Sequence, residues 1–500
     1  MLLSFLSLCL GLALAVPNPA PAPHPMVTPA PRAPALDSRD LIQEWDNYVN
    51  SVVSGLGSTV SNYIASGVPQ FFQDLPTGKD VEAKLGIADR DLDAKPTQVL
   101  NLPAYGNYTD NGEWSVFVHG NVYKVPDISE GTLNNLADGF LIGTEMDEIP
   151  PNAQRQARNM TASIFVVQQG EVNVTIDFVA GDNGGGGTER GVIEAAGGSQ
   201  MIQVPDETTD QGDFAGWLKM ENTTGPNGGY LLRGNETNKI QTLEMHAQGT
   251  DSGNATAYLV PPRGTTIISD IDDILRVTKI WDPEEGVLNS FTRPFIPWLN
   301  MPELYAEWAR TVDDLHFHYL TTTPEQATRN YMEFTFATYP LGSFDTRPLN
   351  FSDVTATLSI RKHLLDCIFE TFPRRKFILV GDTSNSDVMK AYPQLAKDHP
   401  NTVQCIWLRN TSSTDYTYRF PYNTSGFEGL PASQYMFFRV PDDLKGLDLA
   451  GGSCVNTTFA QNVSFGMQGA ALGSDAGGMA VLRSGIWAMI AALLVTALAV

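Results

Sequence analysis

Two short apolar stretches, each breaking into aspartates, constrain this chain more than anything else in it. The first runs Thr265-Thr266-Ile267-Ile268-Ser269-Asp270-Ile271-Asp272-Asp273. Its β-branched start reads as a short buried strand. Side chains two apart on extended backbone share a face, so Asp270 and Asp272 can point at one spot. Two carboxylates that close resist being ionised together unless a cation shares the site. The second stretch, Lys376-Phe377-Ile378-Leu379-Val380-Gly381-Asp382, continues in polar residues to Asp387. Apolar strands ending in acids suit a parallel α/β sheet, where ligands bind beyond the carboxyl ends of the strands. Such a place suits a nucleophile, an acid/base and a hard metal ion.

Between the two lies Phe317-His318-Tyr319-Leu320-Thr321-Thr322-Thr323-Pro324, a strand ending in hydroxyl residues. In order, the three stretches resemble the first, second and fourth motifs of the haloacid-dehalogenase-like phosphatases. The segments Ile268–Asp273, Tyr339-Pro340-Leu341-Gly342-Ser343-Phe344 and Phe372–Asp382 are similar to the catalytic domain of the fungal actin-patch phosphatidate phosphatase family. The resemblance covers about residues 261–445.

The resemblance implies an α/β fold: a haloacid-dehalogenase-like, three-layer Rossmannoid catalytic domain preceded by a β-sandwich-like domain. It implies that Asp270 attacks phosphorus and forms an aspartyl-phosphate. Asp272 then protonates the leaving oxygen and later activates water, and Thr321 hydrogen-bonds a phosphoryl oxygen. Mg²⁺ would sit between Asp270, the backbone carbonyl of Asp272, and Asp382, with Asp387 as ligand or orienter. A cation should neutralise the transferred group; Lys362 is chosen over the adjacent Arg361. The implied substrate is phosphatidate, with a soluble phosphoester as the alternative. The family's first motif normally ends in Thr or Val where Ile274 stands here, which removes a hydroxyl but no nucleophile, acid or ligand. A second class of function is a surface glycoprotein whose phosphatase-like domain serves binding.

Length and charge bound the rest. At 500 residues, about three domains of about 150 residues are expected. The formal charge of −24 argues against nucleic acid, whose phosphates need Lys and Arg, and against electrostatic capture by anionic lipid. Residues 1–16 read as a secretory signal peptide and 17–36 as a Pro/Ala-rich linker. Residues 37–95 read as a helical segment and 96–260 as a β-rich domain with Gly and Asn punctuation. The catalytic domain follows at 261–445, a glycosylated stalk at 446–473, and a GPI-anchor signal at 474–500, with Ser474 chosen as the attachment residue and Gly473, Asp475 and Ala476 as alternatives. A retained membrane tail is the alternative for that end. Asn-x-Ser/Thr sequons recur from Asn107 to Asn462, as in an exported glycoprotein at the cell surface or wall. Cys9 leaves with the signal, and Cys367, Cys405 and Cys454 permit one disulfide of undetermined pairing.

Other motifs carry less. Gly184–Gly187 lacks the Lys-Ser/Thr of a phosphate-binding loop and reads as a hairpin or loop. His316 and His318 share a strand face, which reads as packing because no third ligand stands at useful spacing. The sequence contains no Gly-x-Ser-x-Gly elbow, so a serine-hydrolase reading has no support.

Overall fold

The computed structural model describes residues 77–141, 144–180, 198–225, 228–232, 239–347, 354–414, 422–458, 461 and 464–468. The expected signal peptide, linker and anchor signal lie outside these residues, as do most of the 37–95 segment and the Gly184–Gly187 loop.

The first half of the described chain holds helices α1 (Gly78–Leu85), α2 (Asp89–Asp93), α3 (Glu130–Asp138) and α4 (Pro151–Ile164). Its strands are β1 (Gln98–Asn101), β2 (Ala104–Tyr108), β3 (Trp114–Lys124), β4 (Val167–Gln168), β5 (Thr175–Ala180), β6 (Ser199–Gln203), β7 (Asp213–Lys219), β8 (Gln241–Ala247) and β9 (Asn254–Val260). The strands hydrogen-bond as one nine-stranded sheet in the order β1-β3-β2-β9-β8-β5-β6, with β4 and β7 also paired to β3. The β content is as expected. The joining of the strands into one sheet, and helices α3 and α4, are not. The buried face of α4 is Ala153, Ala157, Met160, Thr161 and Ile164, so small and polar residues blur its apolar period.

The second half forms strands β10 (Thr265–Ser269), β11 (His316–Pro324), β12 (Ser343–Arg347), β13 (Lys376–Asp382), β14 (Val403–Arg409), β15 (Tyr422–Asn423), β16 (Tyr435–Phe438) and β17 (Met467–Gln468). Its helices are α5 (Pro283–Phe291), α6 (Met301–Thr311), α7 (Glu325–Thr338), α8 (Val354–Thr371), α9 (Ser386–Asp398) and α10 (Thr411–Thr414). Six strands make a sheet in the order β12-β11-β10-β13-β14-β16, and every pair in it is parallel. All five residues of β10 are buried, as expected for a central parallel strand covered on both faces. Alternate residues enter opposite cores. Ile267, Ile378 and Val380 join Leu304, Tyr305 and Trp308 of α6. Ile268, Phe377 and Leu379 join Leu365 and Phe369 of α8 and Val388, Tyr392 and Leu395 of α9. The chain steps outward from β10 to β12 on one side, then returns to the other side at β13. The β10/β13 boundary is therefore the switch point at which such sheets open a crevice.

Arg375 anchors the opposite end of β10. This fully buried guanidinium donates to Thr266 Oγ1 (2.6 Å) and to the carbonyls of Pro261 (2.9 Å), Thr265 (2.8 Å) and Asp314 (2.8 Å). Burial lowers its pKa to about 9. The stretch after Gly446 departs from the stalk expectation. Leu449 and Cys454 are buried, Cys454 is disulfide-bonded to Cys405 of β14, and its carbonyl accepts from Trp407 Nε1 at 2.9 Å. Residues 446–458 thus complete the core of the second half.

The two halves meet along a polar seam. The Asp345 carboxylate of β12 lies 2.8 Å from His119 Nε2 of β3 and 3.2 Å from His318 Nε2. Burial would raise the Asp345 carboxyl, but these two imidazoles hold it below the usual carboxylate range. His316 Nε2 and His318 Nδ1 both reach Ser343 Oγ, at 2.8 and 2.7 Å. Both histidines thus hydrogen-bond one protein hydroxyl, which accounts for their sharing a strand face. A second seam contact joins Asp213 of β7 to Glu325 of α7. Burial raises both carboxyls, Asp213 to about 6, as when two acids share a proton.

Candidate active site

Asp270 leaves the end of β10, and its backbone N–H donates to the Val380 carbonyl of β13 at 2.9 Å. Asp382 ends β13 itself. Tyr319 pairs with Ser269, so Thr321 sits at the same end of the neighbouring strand. Sheet register alone thus brings the first, second and fourth expected stretches to one edge of the crevice.

Arg361 holds the centre. Its Nη2 lies 3.3 Å from both carboxylate oxygens of Asp270, and its Nε donates to Asp387 Oδ2 at 3.2 Å. Burial disfavours this charge, but Asp270, Tyr392 and Asp387 together raise the Arg361 pKa above its ordinary value. Asp270 is buried and its pKa is raised by that burial; Arg361 works in the opposite direction and Asp272 reinforces the rise. Burial likewise pushes Asp387 up to about 6 against the pull of Arg361. Asn385 caps α9 by accepting from the N–H groups of Asp387 (3.1 Å) and Val388 (3.3 Å). Its amide nitrogen donates to Asp270 Oδ2 at 3.3 Å.

The expected cation is therefore corrected. Lys362 points away from the cluster and pairs with Asp366 (2.7 Å) and Asp398 (3.1 Å) at the surface. A readable signal existed: Arg361, Leu365, Ile368, Phe369 and Phe372 recur at helical spacing and are all buried. Lys362 lies about 100° around the helix from Arg361. Asp387 faces Arg361, the place of an orienter rather than a ligand.

Asp272 is half-buried. Three donors converge on its Oδ1: Arg276 Nε (3.0 Å), Arg276 Nη2 (2.7 Å) and Thr278 Oγ1 (2.7 Å). Sequence reasoning assigned no role to Arg276, Thr278 or Asn385. Thr321 Oγ1 accepts from Thr323 N–H (3.1 Å) and from the Tyr331 hydroxyl (3.4 Å). Asp273, with φ +60°, turns inward instead. Its carboxylate accepts from the backbone N–H groups of Thr278 (3.1 Å), Lys279 (2.8 Å) and Ile280 (3.0 Å). Ile274 is fully buried in the core shared with Trp298 and Tyr305, so an apolar contact stands where a hydroxyl was expected.

The residues fit a hard cation in part. Asp382 Oδ1 accepts from Ser384 N–H (2.7 Å), the Ser384 hydroxyl and Thr411 Oγ1 (3.1 Å), while Oδ2 is buried without a hydrogen-bond partner. Burial first, then Asp273 and Asp270, raise Asp382 to about 7. An orphaned buried acceptor beside other acids is what a cation would satisfy. Among the described residues, no three His, Cys, Asp or Glu side chains are grouped to hold a metal by themselves. Magnesium needs less, since it is usually held by one or two carboxylates together with substrate phosphate and water.

A doubly wound α/β domain with an acidic crevice at its switch point is the class that fold and site define. The family described as "Phosphatidate phosphatase APP1, catalytic domain" matches residues 265–410. Phosphatidate phosphatase APP1 of Saccharomyces cerevisiae is 29% identical over 178 residues, which is 34% of this chain. The match spans 30% of that relative's length. Among solved structures, a carbohydrate esterase with divergent catalytic and non-catalytic binding functions aligns at 9% identity and TM-score 0.17, over 63% of this chain and 88% of its own. A family two carbohydrate esterase from Cellvibrio japonicus aligns at 8% identity and TM-score 0.19, over 64% and 88%. Likeness at that level carries no argument.

Proposed function

We propose that this chain is a magnesium-dependent phosphatase that hydrolyses a phosphate monoester through an aspartyl-phosphate, with phosphatidate as the favoured substrate. The observation that carries the reading is the meeting of Asp270, Asp272, Thr321, Asp382 and Arg361 at one switch point, within a segment matched to a phosphatidate phosphatase domain. It also supports a haloacid-dehalogenase-like topology for this half of the chain. Phosphate monoesters are among the slowest substrates to hydrolyse, and their catalysis rests on positioning and charge stabilisation.

In this mechanism Asp270 attacks phosphorus in line, while Arg361 and Asn385 hold its carboxylate in place. Asp272 gives a proton to the departing alcohol oxygen. It then takes one from the water that hydrolyses the acyl phosphate. The Thr321 hydroxyl donates to a phosphoryl oxygen. Bound by Asp270, the Asp272 carbonyl and Asp382, magnesium would neutralise charge on the transferred group. Asp387 keeps Arg361 oriented.

The chain is further read as exported, glycosylated and GPI-anchored. Asn159, Asn173, Asn222, Asn254 and Asn423 are exposed sequon residues. Among the described residues no helix is long and apolar enough to cross a membrane.

The test is phosphate release with and without Mg²⁺, from phosphatidate in mixed micelles and from soluble phosphomonoesters. Asp270→Asn should abolish release on all of them. Equal release by both proteins would reject the enzyme, and a preference for soluble esters would replace the lipid substrate.

A further inference from the structure

We propose that Arg276, with Thr278, is a positioning residue that fixes the Asp272 carboxylate so that its second oxygen meets the leaving group. The inference rests on the phosphatase reading above. Arg276 places two nitrogens on Asp272 Oδ1, at 3.0 and 2.7 Å, and Thr278 Oγ1 adds a third donor at 2.7 Å. With Oδ1 held from three directions, Oδ2 is the oxygen left to face a substrate.

Arg276 is itself immobilised. Its side chain is 3% exposed, and its guanidinium lies 4.4 Å from the Tyr331 ring centroid and 5.0 Å from that of Phe295. The backbone is pinned as well: its carbonyl accepts from Asp273 N–H at 2.9 Å, and it bridges to Pro297. Tyr331 in turn reaches Thr321 Oγ1 at 3.4 Å. One ring thus couples the holder of Asp272 to the hydroxyl assigned to the phosphoryl group.

A purely structural pair is not needed here. Asp273 already closes the loop through its three backbone N–H contacts, and Arg409 donates to the Asp273 carbonyl at 2.5 Å. The contacts of Arg276 and Thr278 fall on Asp272 instead, whose side chain keeps 16% of its surface open.

Leaving-group chemistry separates positioning from structure. In the first step a P–O bond forms to Asp270 and the ester P–O bond breaks. The electron pair stays on the departing oxygen, which takes the Asp272 proton. An alkoxide needs that proton, whereas p-nitrophenolate leaves nearly unaided. The value kcat/KM should therefore be measured for an alkyl phosphate and for p-nitrophenyl phosphate. Arg276→Gln should lower it about 10²-fold for the alkyl ester and less than about 10-fold for the nitrophenyl ester. Arg276→Lys should recover part of the alkyl loss. Thr278→Val, a near-isosteric change, should show the same bias at about 10-fold; it decides the matter where thermal melting shows that Arg276→Gln does not fold. Equal losses on both esters, or no loss, overturn the proposal. A wild-type protein inactive on both esters and on phosphatidate overturns the phosphatase reading itself.

Discussion

Replacing Arg361 by Met should be far more damaging than replacing its neighbour Lys362 by Met. The Arg361 side chain is 1% exposed and lies between the carboxylates of Asp270 and Asp387, both nearly as buried, at 3.2–3.3 Å. Removing one partner of a buried pair strands the other, at about 3–5 kcal/mol. Lys362 is 35% exposed and pairs with the half-exposed Asp366 and Asp398, so its loss should cost about 0–1 kcal/mol. Urea unfolding at neutral pH measures both, as midpoint shifts at constant slope. The pH dependence carries a sign. Without the guanidinium, the pKa values of Asp270 and Asp387 rise further, so acidification neutralises the stranded carboxylates and the deficit shrinks. The Arg361→Met deficit should therefore be smaller at pH 5 than at pH 8. Equal shifts for the two variants, or a deficit independent of pH, would refute the assignment of Arg361 as the compensating cation.

Asp382 and Asp387 have folded pKa values raised to about 7 and about 6, against about 3.9 in an unfolded chain. Their contribution to stability is full below about pH 4 and is lost as pH rises through about 7. A cation bound only by the native state offsets that loss. Magnesium should thus raise the melting temperature more at pH 8 than at pH 5, and Asp382→Asn should abolish the difference; no magnesium response at pH 8 would count against the metal. The Cys405–Cys454 bridge closes a separation of 49 residues, worth about 4 kcal/mol by loop entropy. Denaturation of Cys454→Ser should show a loss of that order. Cys367→Ser should melt with the wild type, because Cys367 is free and exposed.

The candidate site was unevenly legible. Asp270, Asp272, Thr321 and Asp382 could be read because each follows a run of strand formers, and strands in a parallel sheet end on one side. The choice between Arg361 and Lys362 turns on the helical period of Leu365, Ile368 and Phe369, which puts Arg361 on the buried face. Residues 446–458 pack on the core where a stalk was expected, because small polar composition is silent about a disulfide. Helix α4 escaped notice because alanines and a threonine line its buried face.

The sequence by itself determined the alternation of strands and helices, the acids at strand ends and the order of the motifs, since these depend on local propensity and apolar period. Tertiary structure decided which cation enters the crevice, which cysteines pair and what holds Asp272. Those outcomes depend on groups distant in sequence, Arg361 with Asp270 and Cys405 with Cys454 among them. Only packing sets such distances, and charge interactions in a buried site change steeply with them.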